Sequence, residues 1–211
     1  MEGIQFNLTL AILVLTGLIS FRGFSNRAFF DKFKHLPVAE AGNKEYYRLL
    51  TSGFLHGDWM HLIFNGYVLL MFGAIVEDYF VRQFGVVPGR VMYLLMYITC
   101  IVAANIPSFL KHKNNPAYSA IGASGAVSGV IFISILISPM SGIGIIFIPI
   151  YIPAFIFGVL YLVYSSWAAK KQDTRIGHDA HFYGALYGMI FIILFNPSII
   201  ARFFNQIANG F

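Results

Sequence analysis

The sequence predicts an all-α integral membrane fold, a bundle of six transmembrane helices in a single domain over residues 1–211. Three observations carry that expectation. Of the 211 residues, 58% are hydrophobic and 11% charged, against roughly 25% charged in ordinary soluble domains. The apolar residues gather into six runs, about 4–21, 58–80, 91–110, 121–139, 144–167 and 179–196, each near the roughly 20 residues a spanning helix needs. All 14 Lys and Arg lie outside these runs or at their ends. The runs are continuous rather than alternating, which argues against a transmembrane β-barrel.

Each run has its own character. The first follows Met1-Glu2, with no positive segment ahead of it and no small-residue cleavage site behind it, so it reads as a retained span rather than a signal peptide. Residues of about 22–57 form a long loop, basic at its start and partly apolar (Phe29, Phe30, Phe33, Leu49, Leu50, Phe54). That mixture suits an interfacial position. The second run has His61 and Asn65 near its start, and Glu77 and Asp78 at its far end read as capping or interfacial charges. The third holds Cys100, the single cysteine, which excludes an intrachain disulfide and reads as a small core residue. A polar loop from Lys111 to Ser119 leads to the fourth run. After it comes a Gly-rich stretch, and Pro149 and Pro153 should kink the fifth run or delay its start. No internal repeat is visible, which argues against an inverted-repeat transporter. The net charge of +5 is scattered over loops beside the runs. It reads as a topology and lipid-headgroup signal, with no nucleic-acid partner.

Polar groups inside a membrane are costly, so each needs a reason. Ser124 lies in Gly122-Ala123-Ser124-Gly125 at the start of the fourth run. A serine there sits beside free backbone N–H groups that can stabilise an oxyanion. The same glycines also make a packing face, because Gly125 and Gly129 form a GxxxG. His181 opens the sixth run. A neutral imidazole can take a serine's proton and return it to a leaving amine. Ala180, Gly184 and Gly188 recur every four residues, a stripe that admits a close neighbour. Gly125 and Gly129 offer the matching surface, so a Ser124–His181 hydrogen bond of about 3 Å is within reach.

His61 and Asn65 are four residues apart and share a helix face. Both can donate to a developing oxyanion, or they can tie the second span to its neighbours. His56 reads as structural. Asp58 reads as the cap of the second span, and Asp179 faces away from His181. No HExxH occurs and His56 and His61 are a poor facing pair, so no metal is expected. Spans alternate in direction, so the second, fourth and sixth start from one membrane face. His61, Asn65, Ser124 and His181 then share one shallow depth that water can reach.

This constellation resembles the rhomboid intramembrane serine proteases. The residues that carry the resemblance are His61-x-x-x-Asn65, Gly122-Ala123-Ser124-Gly125 and Ala180-His181-x-x-Gly184, with Tyr46-Tyr47-Arg48, His56 and Gly73-Ala74-Ile75-Val76-Glu77 around them. The resemblance implies a six-helix bundle of the rhomboid type and a Ser124–His181 dyad with no acidic third member. It implies an oxyanion site from the Ser124 backbone N–H, His61 and Asn65. It implies transmembrane protein substrates, cut near one membrane face, and no cofactor. One departure is Tyr47-Arg48 where the family often has Trp-Arg, which touches loop packing rather than catalysis. A non-catalytic binder of the same fold and a small transporter are the competing readings. The implied location is a bacterial inner (plasma) membrane, with the active site towards the exterior. The Lys and Arg count opposes that orientation, with 11 on the active-site face and 3 (Arg82, Arg90, Arg202) on the other.

Overall fold

A computed structural model describes residues 7–145, 148–169 and 177–210. The first helix, α1 (Leu8–Ser25), is capped by Asn7, whose side chain accepts from the Leu10 N–H. Its buried residues are Thr9, Ile12, Thr16, Ser20 and Gly23, a stripe at helical spacing that faces α5 (Trp59–Phe84). Glu77 of α5 clasps the start of α1. Its carboxylate accepts from the Leu8 and Thr9 N–H groups at 2.9 and 2.8 Å and from the Thr9 hydroxyl at 2.9 Å. A carboxylate at a helix N-terminus satisfies donors that the helix leaves free. Of the two readings, cap or interfacial charge, Glu77 takes the first, but it is buried and caps α1 rather than its own helix.

The segment expected as an interfacial loop is folded. It holds α2 (Arg27–Phe33), α3 (Pro37–Asn43), α4 (Arg48–Thr51) and a 3-10 turn over Ser52–Phe54. Arg48 donates to the carbonyls of Asp31 and Lys34, and the Thr51 hydroxyl donates to the Phe33 carbonyl. His35 is fully buried, with Nδ1 2.6 Å from Glu40 Oε1 and Nε2 2.9 Å from Ser108 Oγ. Its backbone also pairs with that of Ala120 in both directions. The segment is therefore stitched to the stretch that precedes Ser124.

Among the described residues four helices are long and apolar enough to cross a membrane: α1, α5, α6 (Val86–His112) and α9 (His178–Phe195). Two shorter apolar helices, α7 (Ser124–Ile137) and α8 (Ala154–Ala168), stand where the fourth and fifth spans were expected. At about 1.5 Å per residue, 14 residues fall short of the bilayer core, so length alone does not give six crossings. The shortness of α7 has a physical reason. Every residue from Gly125 to Leu136 is buried, so α7 is ringed by other helices and has little lipid to match.

The fifth run does not begin as a helix at 144. Residues 142–153 hold two antiparallel strands, β1 (Gly142–Ile145) and β2 (Ile148–Pro153), so α8 starts only at 154. Pro149 and Pro153 remove amide donors that a helix needs, and the β-branched residues between them favour extended backbone. The other runs match their helices with ends moved by one to five residues. A final helix, α10 (Ser198–Ala208), follows α9 and was not anticipated. Its Gln206 side chain donates to the Ile137 carbonyl at the end of α7.

Candidate active site

The chain turns into α7 at Gly122, whose φ of +118° belongs to the left-handed side of backbone space. The Gly122 N–H donates to the Ser52 carbonyl at 3.0 Å, so the folded first loop holds this turn. A methyl group on Gly122 would lie 2.9 Å from His61 Cε1 and 3.7 Å from Ser124 Oγ. The His61 ring and the Ser124 hydroxyl thus flank one small space. Ser124 is the first residue of α7, where backbone N–H groups have no helical acceptor.

His181 reaches the same end of the bundle through the packing of α9 on α7. A methyl group on Gly184 would overlap the Gly125 carbonyl, and one on Gly188 would meet the Gly129 backbone. One turn earlier, a methyl on Gly125 would lie 3.3 Å from the Ala180 carbonyl. The residue after Ser124 therefore touches the residue before His181. The Cys100 thiol of α6 sits at this crossing and donates to the Gly184 and Gly125 carbonyls at 3.5 and 3.7 Å. His61 lies within electrostatic range of His181. Ser124, His61 and His181 are all half-buried, between core and surface. Among the described residues no hydrogen bond joins Ser124 Oγ to His181. Such bonds commonly tighten only when substrate arrives.

Asn65 is placed differently. It is buried, and its Nδ2 donates at 3.0 Å to the His61 carbonyl one turn back. One of its two N–H donors is thus already engaged within α5. Asp58 caps α5 by accepting from the His61 N–H at 2.8 Å, and Asp179 lies 3.7 Å from Lys111 Nζ. His56 is fully buried, with Nδ1 2.9 Å from Ser20 Oγ. The Ser20 hydroxyl gives its one proton to the Phe54 carbonyl, so His56 Nδ1 is assigned as the donor and Nε2 as the bare nitrogen. Among the described residues no group of three or more His, Cys, Asp or Glu side chains could hold a metal ion.

Two side chains that sequence reasoning passed over stand beside these residues. The Tyr161 ring of α8 stacks on His181, with centroids 6.3 Å apart and planes 27° apart. Its hydroxyl lies 2.6 Å from Ser128 Oγ. An aromatic residue in an apolar run carries no sequence signal for such a role.

Residues 43–198 match the family model of the Rhomboid domain. The chain belongs to the rhomboid family. Its relatives include the Rhomboid-like protein 11, chloroplastic, of Arabidopsis thaliana, 28% identical over 160 residues, which cover 71% of this chain and 52% of the relative. The RHOMBOID-like protein 12, mitochondrial, of the same plant is 28% identical over 154 residues, covering 67% and 44%. A Bacillus subtilis (strain 168) relative, YdcA, whose name carries the words rhomboid protease, is 30% identical over 88 residues, covering 42% and 39%. The matched stretch of this rhomboid thus spans about half or less of the length of these relatives. The protein is a multi-pass membrane protein of mostly helical fold. Two of the relatives carry organelle names, so the bacterial inner membrane expected from the sequence draws no support from them.

Proposed function

We propose that this rhomboid is an intramembrane serine endopeptidase that cuts transmembrane protein substrates with a Ser124–His181 dyad. The observation that supports the reading is the convergence at the start of α7, where a methyl group on Gly122 would meet both the His61 ring and Ser124 Oγ and where Gly125, next to Ser124, packs on Ala180, next to His181. The whole chain, residues 1–211, works in this reading as one rhomboid-like membrane domain with six crossings. Helices α7 and α8 are the fourth and fifth: α7 is short because a buried helix need not match the bilayer, and α8 because β2 takes up the residues before 154.

The chemistry follows from the groups present. Ser124 Oγ attacks the scissile carbonyl while its proton passes to a neutral nitrogen of His181. Negative charge gathers on the former carbonyl oxygen. The Ser124 backbone N–H, at the start of α7, and the His61 imidazole are the donors for it. Asn65 serves as a third through its second N–H. As the tetrahedral intermediate collapses, His181 returns the proton to the leaving amine. Water then attacks the acyl-enzyme by the same route in reverse and regenerates the Ser124 hydroxyl.

The test is purified protein in detergent, given a panel of fluorescently labelled transmembrane helices, beside its Ser124→Ala variant. The wild type should cut at least one helix and label with a fluorophosphonate at Ser124. The variant should lose both, with turnover reduced about 10³-fold or more. Binding of helices by both proteins, with cleavage and labelling by neither, would mean a non-catalytic binder.

A further inference from the structure

We infer that Tyr161 is a positioning residue that ties both members of the proposed dyad to helix α8. The inference rests on the peptidase reading of Ser124 and His181. Tyr161 has two separate links to them. Its ring packs near-parallel beside the imidazole of His181, 6.3 Å between centroids with planes 27° apart. Aromatic rings favour that arrangement within about 4.5–7 Å. Its hydroxyl meets Ser128 Oγ at 2.6 Å, and Ser128 in turn donates to the Ser124 carbonyl at 2.7 Å. Ser128 has a single proton and the carbonyl can only accept, so the Tyr161 hydroxyl is assigned as the donor to Ser128. The result is a directed chain, Tyr161 O–H to Ser128 O–H to the carbonyl of the nucleophile's own residue, in which each bond polarises the next.

The ring is itself held. Phe132 of α7 and Phe157 of α8 pack on Tyr161 with centroids 5.6 and 5.8 Å away. Gly158 lets α8 come close to α7, since a methyl group there would lie 3.1 Å from the Ile135 side chain. His181 also packs against the His178 ring, with centroids 5.7 Å apart and planes at 81°. His181 makes no side-chain hydrogen bond among the described residues, so ring packing is what sets the angle of its imidazole. A base held this way depends on α8 being seated. Moving α8 off α7 would withdraw the stack from His181 and the hydroxyl from Ser128 together.

The experiment compares Tyr161→Ala, Tyr161→Phe, Ser128→Ala and the Tyr161→Phe/Ser128→Ala pair with wild type. The substrate is the labelled helix the wild type cuts fastest, and folded protein is matched by gel filtration and melting temperature. Tyr161→Ala should lower kcat about 100-fold, as a displacement near 1 Å does, with KM unchanged within about twofold. Tyr161→Phe keeps the stack and should restore kcat to within about tenfold of wild type. The pair should be no worse than the more affected single variant, since either change breaks the hydroxyl chain. Wild-type kcat in Tyr161→Ala overturns the inference. So does a loss that resides in KM or that the Phe variant does not rescue. A wild type that cuts no helix overturns the peptidase reading and this inference with it. An active wild type indifferent to Tyr161 overturns this inference alone.

Discussion

Gly184 presses on the carbonyl of Gly125 so closely that no side chain, not even a methyl group, fits between α9 and α7. Four residues on, Gly188 meets the Gly129 backbone in the same way. The two helices touch backbone to backbone, and the residues flanking the upper contact are Ser124 and His181. Small-residue contacts of this kind let helices approach where the hydrophobic effect gives no drive.

Gly184→Ala should therefore harm catalysis more than folding. The methyl group must displace backbone, which costs about 1–3 kcal/mol of packing. The resulting shift near 1 Å between Ser124 and His181 should lower kcat about 100-fold. Cleavage rate and melting temperature in detergent check this together. Undiminished cleavage by Gly184→Ala would mean that the contact does not set the dyad.

The stripes behind this contact were legible because a four-residue period of small side chains has one ready meaning in an apolar helix. The grouping of His61, Ser124 and His181 at one end was legible from the alternation of runs. Asn65 was legible as a polar residue on the His61 face, but its bond to the His61 carbonyl depends on a rotamer that spacing does not encode. The first loop was read as a loop because its helices are short, four to seven residues, below the length at which periodicity is visible. Its buried His35–Glu40–Ser108 cluster joins residues up to 73 positions apart, a tertiary fact. The hairpin before α8 was half legible. Pro149 and Pro153 signalled a late start, but an apolar run alone does not separate strand from helix.

His56 gives a pH dependence to stability. Burial, with His61 nearby as the second cause, pushes its pKa from 6.5 down to about 3. The folded protein then keeps His56 neutral where the unfolded chain takes up a proton. Stability is full above pH 6.5 and falls as pH drops from 6.5 towards 3, at up to about 1.4 kcal/mol per pH unit for this one group. Melting temperature measured from pH 8 to pH 4 should fall in the wild type. It should fall less steeply in His56→Leu, although that variant is less stable at pH 8 because it loses the bond to Ser20. Parallel curves would show that His56 is not the group responsible.

The two acids near the site should matter for structure alone. Asp58 caps α5 and Asp179 faces Lys111. Asp58→Asn keeps an N-cap acceptor and should change stability by only a few tenths of a kcal/mol, while Asp58→Ala should cost about 1 kcal/mol. Both asparagine variants should keep most of the cleavage rate, with or without EDTA. Loss of activity in EDTA that zinc restores would replace the dyad with a metal mechanism.

Orientation is the last expectation, and the structure bears on it through the first loop. The face that holds Ser124 and His181 carries most of the Lys and Arg, which by the positive-inside rule belongs in the cytoplasm. Six of those cations lie in the first loop, and three of them are hydrogen-bonded or ion-paired within it. Arg48 is buried at 7% exposure, bonded to the Asp31 and Lys34 carbonyls and to Glu45. Arg27 and Lys34 both pair with Asp31. The Lys34 hydrogen bond, foremost, holds the Asp31 carboxyl below its ordinary range. A rule drawn from short exposed tethers overcounts cations that a folded segment has already paired. We therefore expect the catalytic face outside when the protein is expressed in a bacterial inner membrane. Lys113→Cys, on an exposed turn at that face, should react with a membrane-impermeant maleimide in intact spheroplasts, and Arg82→Cys at the opposite end should react only after lysis. The parent chain, with Cys100 fully buried, serves as the unlabelled control. The reverse pattern would put the catalytic face in the cytoplasm and show that the loop's cations direct topology in spite of their pairing.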